Sequence, residues 1–84
     1  MRSYLVEAYL PRSTDEERRR MVERARVVVA DMRAEGADLR YVRSIFLPQD
    51  ETCFHCFEAA SDAEVEEVAR RARFTAHRIV EAIE

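Results

Sequence analysis

The 84-residue sequence contains no lysine, no tryptophan, one glycine and two prolines. So few glycines and prolines exclude flexible linkers, low-complexity segments and glycine-rich phosphate loops. Its two cysteines are too few for a disulfide scaffold, and no apolar run approaches the roughly 20 residues of a transmembrane helix. The N-terminus also lacks the apolar core of a signal peptide. We therefore expect a soluble cytoplasmic protein with reduced thiols and no membrane partner.

Charges of both signs are abundant, and every basic side chain is arginine: 14 basic and 17 acidic residues give a net charge of −3. Because charges of both signs are mixed, the electrostatic field of the chain has no dominant sign that would attract nucleic acid or an anionic membrane. A chain of this length forms one domain, residues 1–84, and buries only about 60% of its unfolded surface. We therefore expect self-association to supplement the core.

Hydrophobic periodicity predicts the element order β-α-β-β-α-β. The predicted elements are strands over 3–10, 39–47, 52–58 and 78–83, a helix from 15 to about 35, and a second helix that fades near residue 73. Capping boxes at Ser13 or Thr14 and at Ser61 begin the helices, and Gly36 ends the first one. This order indicates an α+β, ferredoxin-like domain, an antiparallel four-stranded sheet with two helices on one face.

The predicted topology places the first and third strands at the centre of the sheet. Strand one has an apolar side, which we expect to meet the helices. The opposite face is then predicted to mix large apolar and charged side chains: Leu5, Glu7, Tyr9, Tyr41, Arg43, Ile45, Cys53, His55 and Phe57. Such a face is too apolar for water and too polar for a core. We predict a homodimer in which two such faces pack around a cleft or cavity.

The segment Cys53-Phe54-His55-Cys56 contains a C-x-x-C spacing, but residues three apart in a strand point to opposite faces and cannot chelate one ion. Cys53 and His55 share a face about 7 Å apart, and Glu7 on the neighbouring strand can converge on them. Imidazole with thiolate or carboxylate suits Ni(II), Zn(II), Cu(II) or Co(II). The sequence therefore predicts a metal site of His55, Glu7 and Cys53, with Arg43 as an orienting neighbour.

Other interpretations of these residues stay open. The cysteines can act as small apolar residues while His55 hydrogen-bonds Glu7 or Arg43 at an interface. A Cys53–His55 nucleophilic pair is the enzymatic interpretation, but nothing indicates an oxyanion hole, and no catalytic residue is assigned. His77 is typical of a turn or surface residue. The arginines of the first helix indicate a solvated face, with a phosphate-binding patch as the alternative.

RNA-recognition modules share this element order and stack bases on aromatic residues of the third strand. Here Phe54 and Phe57 point to opposite faces, and the glycines of the RNP1 pattern are missing. The chain is also acidic. We therefore expect no nucleic-acid partner.

Short segments along nearly the whole chain carry a family resemblance. They are Tyr4-Leu5-Val6-Glu7 with Tyr9-Leu10-Pro11, Val42-Arg43-Ser44 followed by Phe46, Glu51-Thr52-Cys53-Phe54, Phe57-Glu58-Ala59 and Arg78-Ile79-Val80-Glu81. With them the chain resembles small bacterial ferredoxin-like proteins described as nickel-binding. The resemblance implies a face-to-face dimer, similar to dimeric α+β barrels, and surface binding of nickel. The chain departs from the family pattern in having Ala60 where proline is usual and His55 where relatives often have cysteine.

We therefore expect a cytoplasmic, non-catalytic, homodimeric binding protein for a divalent transition metal, nickel first, serving sequestration or homeostasis. The alternative is a monooxygenase-like enzyme of the dimeric α+β barrel type. It would hold a small aromatic or quinone-like substrate in the sheet-face cavity, with Tyr9, Arg43 and His55 as polar handles. A purely structural or interaction module is the third interpretation.

Overall fold

The computed structural model describes residues 1–12, 14–74 and 77–83. Its elements are β1 (Arg2–Tyr9), α1 (Asp15–Ala34), β2 (Leu39–Leu47), a short 3-10 helix (Pro48–Asp50), β3 (Thr52–Ala59), α2 (Asp62–Arg71) and β4 (His77–Ala82). This order confirms the predicted β-α-β-β-α-β pattern. Each predicted strand and helix is present, with ends displaced by one or two residues.

Helix α1 begins and ends as local chemistry requires. Thr14 caps it: the Thr14 hydroxyl accepts from the Glu17 amide, and the Glu17 carboxylate accepts from the Thr14 amide. Ser13, the alternative cap, lies outside the described residues. Gly36 follows the helix with φ of 102°, a conformation that costs little only for glycine. Both signals were correct.

Helix α2 begins differently from the prediction. Ser61 is the N-cap, but its side chain makes no capping hydrogen bond. The Glu64 carboxylate accepts instead from the backbone amides of Ala60, at 3.1 Å, and Asp38, at 3.4 Å. Glu64 thus ties the start of α2 to the loop before β2, and the predicted capping box of Ser61 and Glu64 is not formed.

The sheet is antiparallel with the strand order β2-β3-β1-β4. The central position of β1 and β3 is confirmed, and so is the ferredoxin-like α+β fold. Side chains from one face of the sheet pack with those of both helices in one core: Tyr4, Val6 and Ala8 of β1 with Met21, Ala25, Val29, Met32, Val65, Val68, Ala69 and Ala72. The apolar side of β1 meets the helices, as predicted.

The predicted orientation of β3 is wrong. Val6 lies opposite His55, Tyr4 opposite Phe57 and Ala8 opposite Cys53, and directly opposed residues in a ladder share a face. Cys53, His55 and Phe57 therefore face the helices and are 2%, 0% and 1% exposed. The other face of β3 carries Thr52, Phe54, Cys56 and Glu58.

The predicted orientation of Tyr41 is wrong as well. A β-bulge interrupts the β2–β3 register between Tyr41 and Arg43, so that Tyr41 pairs with Phe57 and Arg43 pairs with Cys56. The extra residue reverses the alternation. Tyr41 points into the core, while Arg43 and Ile45 stay on the uncovered face of the sheet.

Candidate functional site

His55 lies in the protein core between the sheet and the helices. Its Nδ1 is 2.7 Å from the Tyr41 hydroxyl oxygen. Its ring stacks on Phe74, with centroids 4.3 Å apart and planes inclined by 16°. Tyr41 in turn makes an edge contact with Phe57, with centroids 5.0 Å apart. A central strand and the bulged edge strand thus place a polar pair inside an aromatic cluster.

Burial keeps both members of this pair neutral. It lowers the pKa of His55 from 6.5 to about 4, because a charged imidazolium would lose its hydration there. It raises the pKa of Tyr41 from 10.0 to about 12 for the same reason, with smaller effects from neighbouring groups. At pH 7 the contact therefore joins an uncharged imidazole to an uncharged phenol. His55 Nε2 is buried without a hydrogen-bond partner among the described residues.

An orphaned imidazole nitrogen could be a metal ligand, but the other predicted ligands do not accompany it. Glu7 lies on the uncovered face, where it accepts a 2.6 Å hydrogen bond from Arg78. Burial raises the pKa of the Cys53 thiol, which disfavours the thiolate that binds metals. No three His, Cys, Asp or Glu side chains in the described ranges could together hold an ion. The set His55, Glu7 and Cys53 does not fit a nickel centre.

The three residues predicted to contact a small substrate are separated as well. Tyr9 and Arg43 are exposed on the uncovered face of the sheet, whereas His55 is enclosed on the helix side. The backbone of β3 therefore lies between His55 and the two other side chains. One ligand on the sheet face cannot contact all three.

The uncovered face itself keeps the mixed character that the sequence predicted. Tyr9 is 46% exposed, Ile45 45% and Leu47 39%, and Leu5, Phe54 and Val80 are half-buried. Among the described residues, two ion pairs join neighbouring strands on this face: Arg78 with Glu7 and Arg40 with Glu58. An apolar patch crossed by ion pairs is a surface suited to protein contact.

A second histidine site was not indicated by the sequence. His77 Nε2 at the start of β4 lies 3.1 Å and 3.3 Å from the two carboxylate oxygens of Glu66 on α2. The two side chains are 22% and 59% exposed. The two residues are eleven positions apart and lie on different elements, so no helical or strand periodicity links them. Only the packing of α2 on β4 brings them together. The pair offers one nitrogen and one carboxylate ligand at the surface.

No helix among the described residues is long and apolar enough to cross a membrane. The family model described as "Nickel responsive protein SCO4226-like" matches residues 4–82 of the chain. This range contains nearly the whole sheet and both helices, and it confirms the resemblance seen in the sequence. No curated protein matches the chain.

Proposed function

We propose that this chain, which belongs to the SCO4226-like family of nickel-responsive proteins, is a small, non-catalytic, homodimeric binding protein for a divalent transition metal, nickel first. Its role would be sequestration or homeostasis of that metal. The family supports nickel as the ligand. Within the fold, the observation that carries the proposal is the surface contact between His77 and Glu66.

The chemistry of this pair suits a hydrated divalent ion. Imidazole nitrogen and carboxylate oxygen are both ligands of first-row transition metals, and imidazole suits nickel in particular. Both side chains reach solvent, so an ion can bind without opening the core. Two protein donors leave further coordination positions for water or for groups of a second copy. Such a site would exchange its ion readily, which fits a protein that responds to changing metal supply.

Calorimetric titration with nickel chloride tests this assignment. We expect His77→Ala to weaken binding at least tenfold, which corresponds to about 1.4 kcal/mol. Glu66→Gln should weaken it as well, since it removes the carboxylate but keeps the shape. The control is His55→Gln, which removes the other imidazole and should leave nickel affinity unchanged.

Two outcomes would contradict the His77–Glu66 assignment. One is equal nickel affinity in the wild type and in His77→Ala. The other is a loss of nickel affinity in His55→Gln alone, which would indicate that nickel binds the buried His55 instead. Circular dichroism of each variant before titration separates loss of the site from loss of the fold.

The proposed dimer forms through the uncovered face of the sheet, with a second copy of the chain as the partner. Exposed Tyr9, Ile45 and Leu47 support it, because a monomer would leave them in water. The small size of the chain supports it too, since a short chain gains stability from further burial. A two-fold axis would bring the same patch of both copies together.

Sedimentation at micromolar concentration tests the dimer. The wild type should have twice the chain mass, and Ile45→Glu should have the monomer mass, because the new carboxylate would be buried unpaired. Val27→Glu is the matched control: Val27 is 49% exposed but lies on α1. A monomeric wild type, or equal disruption by Val27→Glu, would rule out the sheet face.

The cytoplasm is the proposed working compartment. Both cysteines are free, with Cys53 in the core and Cys56 on the other face of β3. They therefore cannot form a disulfide with each other in this fold. Unpaired thiols of this kind are usual in a reducing compartment.

A further inference from the structure

Three arginines line a groove between α1 and β2, at the opposite edge of the sheet from His77. Arg26 and Arg33 come from the helix, Arg40 comes from the strand, and the remaining lining residues are Val29, Ala30 and Tyr41. We call this set the arginine groove. Its volume of about 260 Å³ is below the range of about 300–1,000 Å³ for drug-sized ligands. A groove of this size suits a small ligand.

Two of the three arginines that line this groove form no ion pair within the described residues. Earlier in α1, Arg18 and Arg20 each pair with an acidic residue about one turn away. Arg33 has no such neighbour, because residues 29, 30, 36 and 37 are valine, alanine, glycine and alanine. Within the described residues, neither Arg26 nor Arg33 forms an ion pair. The carboxylate of Glu58, 3.4 Å from Arg40, offsets one of the three charges.

One of the three guanidinium groups is already held in place at the groove. The Arg26 guanidinium lies 4.8 Å from the centroid of the Tyr41 ring, in a cation–π contact. The Tyr41 ring is fixed in turn by its hydroxyl contact with His55. Binding at Arg26 would therefore lose less side-chain entropy than binding to a freely rotating surface arginine. Arg40 lines the groove, but its guanidinium pairs with Glu58 on the uncovered face of the sheet, so an occupant relies on Arg26 and Arg33.

We propose that the arginine groove binds a small tetrahedral oxyanion of the phosphate type, either free or as the phosphate group of a small metabolite. Guanidinium groups are always charged near neutral pH and match phosphate oxygens bidentately. Arg26 and Arg33 are two helical turns apart, about 10.5 Å along the axis. Their long side chains can approach one anion from two sides. A long polyanion is disfavoured by the net charge of −3.

Nuclear magnetic resonance titration of the metal-free protein tests the groove. The signals followed are the arginine Nε–H groups and the backbone amides. The probes are inorganic phosphate and phenyl phosphate, each at an ionic strength held constant with sodium chloride. The test variant is Arg26→Gln with Arg33→Gln. The matched control is Arg20→Gln with Arg73→Gln, which removes the same charge from exposed positions outside the groove.

We expect saturable shifts at Arg26, Arg33 and Arg40, at least tenfold weaker binding in the groove variant, and binding within twofold of wild type in the control. Tighter binding of phenyl phosphate would assign the groove to a phosphorylated metabolite, and equal binding to the free oxyanion. Shifts that do not saturate, or equal weakening in both double variants, would overturn the proposal. All four positions are exposed, so unchanged melting temperatures should confirm that the fold is kept. Because no metal is added, this result is independent of the nickel experiment.

Discussion

The two faces of β3 carry nearly the same residue types in opposite surroundings. Cys53 and Phe57 face the helices and are 2% and 1% exposed, whereas Cys56 and Phe54 are half-buried on the uncovered face. The strand thus contains its own matched pairs, one member inside and one outside. The role of a cysteine or an aromatic ring in β3 is therefore set by the face on which the strand places it, not by the residue type.

The largest expected difference between the faces is in packing. Phe57→Ala should lower the free energy of unfolding by about 3 to 5 kcal/mol, because it leaves a cavity in a closed core. Phe54→Ala should cost clearly less, because its ring already contacts solvent. Urea unfolding of both variants measures the two losses. Equal losses would mean that the uncovered face is as tightly packed as the core.

Protein concentration sharpens this first comparison. If a second copy covers the uncovered face, the loss in Phe54→Ala should shrink as the protein is diluted, because the association that Phe54→Ala weakens then no longer stabilises the folded wild type. The loss in Phe57→Ala should depend less on concentration. Repeating the unfolding curves at two concentrations separates core packing from association.

The next effect is a pH dependence from the inner face. His55 has a folded-state pKa of about 4 against an ordinary value of 6.5, so the unfolded chain binds the proton more readily. Stability from the neutral imidazole is therefore complete above pH 6.5 and falls as the pH is lowered through 6.5 towards 4. The loss on the way to pH 4 should be about 3 kcal/mol.

His55→Gln provides the control for this pH dependence, because glutamine does not titrate. The wild type and His55→Gln are compared by urea unfolding at pH 7.5, 6, 5 and 4. The difference between their unfolding free energies should shift in favour of His55→Gln as the pH falls. Parallel curves would show that His55 is not buried as a neutral group, since the carboxylates that titrate in both proteins cancel.

A smaller effect is expected from the tyrosine that contacts His55. Tyr41→Phe removes the hydroxyl and leaves His55 Nδ1 buried without its partner, at a cost of about 1 to 3 kcal/mol. Tyr9→Phe makes the same chemical change on the uncovered face, where the side chain is 46% exposed. It should change stability little. Thermal unfolding of the two variants measures this, and equal costs would contradict the hydrogen bond.

The smallest effect is measured in the wild-type protein, by chemical labelling of its two thiols. Cys56 should react with iodoacetamide well before Cys53, which is 2% exposed and whose thiol pKa is raised by burial. Mass spectrometry of the labelled peptides gives both rates, and labelling in urea should make them equal. Faster labelling of Cys56 on dilution would further support a partner on that face. Preferential labelling of Cys53 in the folded protein would contradict the orientation of β3.

The fold was largely accessible from the sequence because each element has its own local signal. Thr14 with Glu17, the apolar stripe of α1 and Gly36 define one helix completely. The alternation in β1 correctly identified its core face. These signals involve neighbours in sequence, so no knowledge of distant contacts was needed.

The orientation of β3 was missed although a signal was present. Alternation shows which residues share a face but not which face meets the helices, and both faces of β3 are rich in apolar groups. Thr52 and Glu58 are in phase with Phe54 and Cys56, and these polar ends indicate that this side is the uncovered one. His55, a polar residue, favoured the opposite orientation of β3. The sequence could not predict that this histidine is neutral and hydrogen-bonded in the core.

Two other features had no signal in the sequence. The bulge that turns Tyr41 inward depends on how β2 pairs with β3, and pairing involves residues far apart along the chain. The contact between His77 and Glu66 depends on the packing of α2 against β4. Long-range geometry decides both: it gives His55 its tyrosine partner and His77 its carboxylate partner.

The bulge in β2 also bears on solubility. Strand β2 is an edge of the sheet, and an edge with regular unpaired backbone groups invites other chains to add as further strands. The irregularity between Tyr41 and Arg43 breaks that regular row, and the exposed side chains of Arg40 and Arg43 place positive charge along it. The residue insertion that brings Tyr41 to His55 therefore also protects this edge against stacking into fibrils.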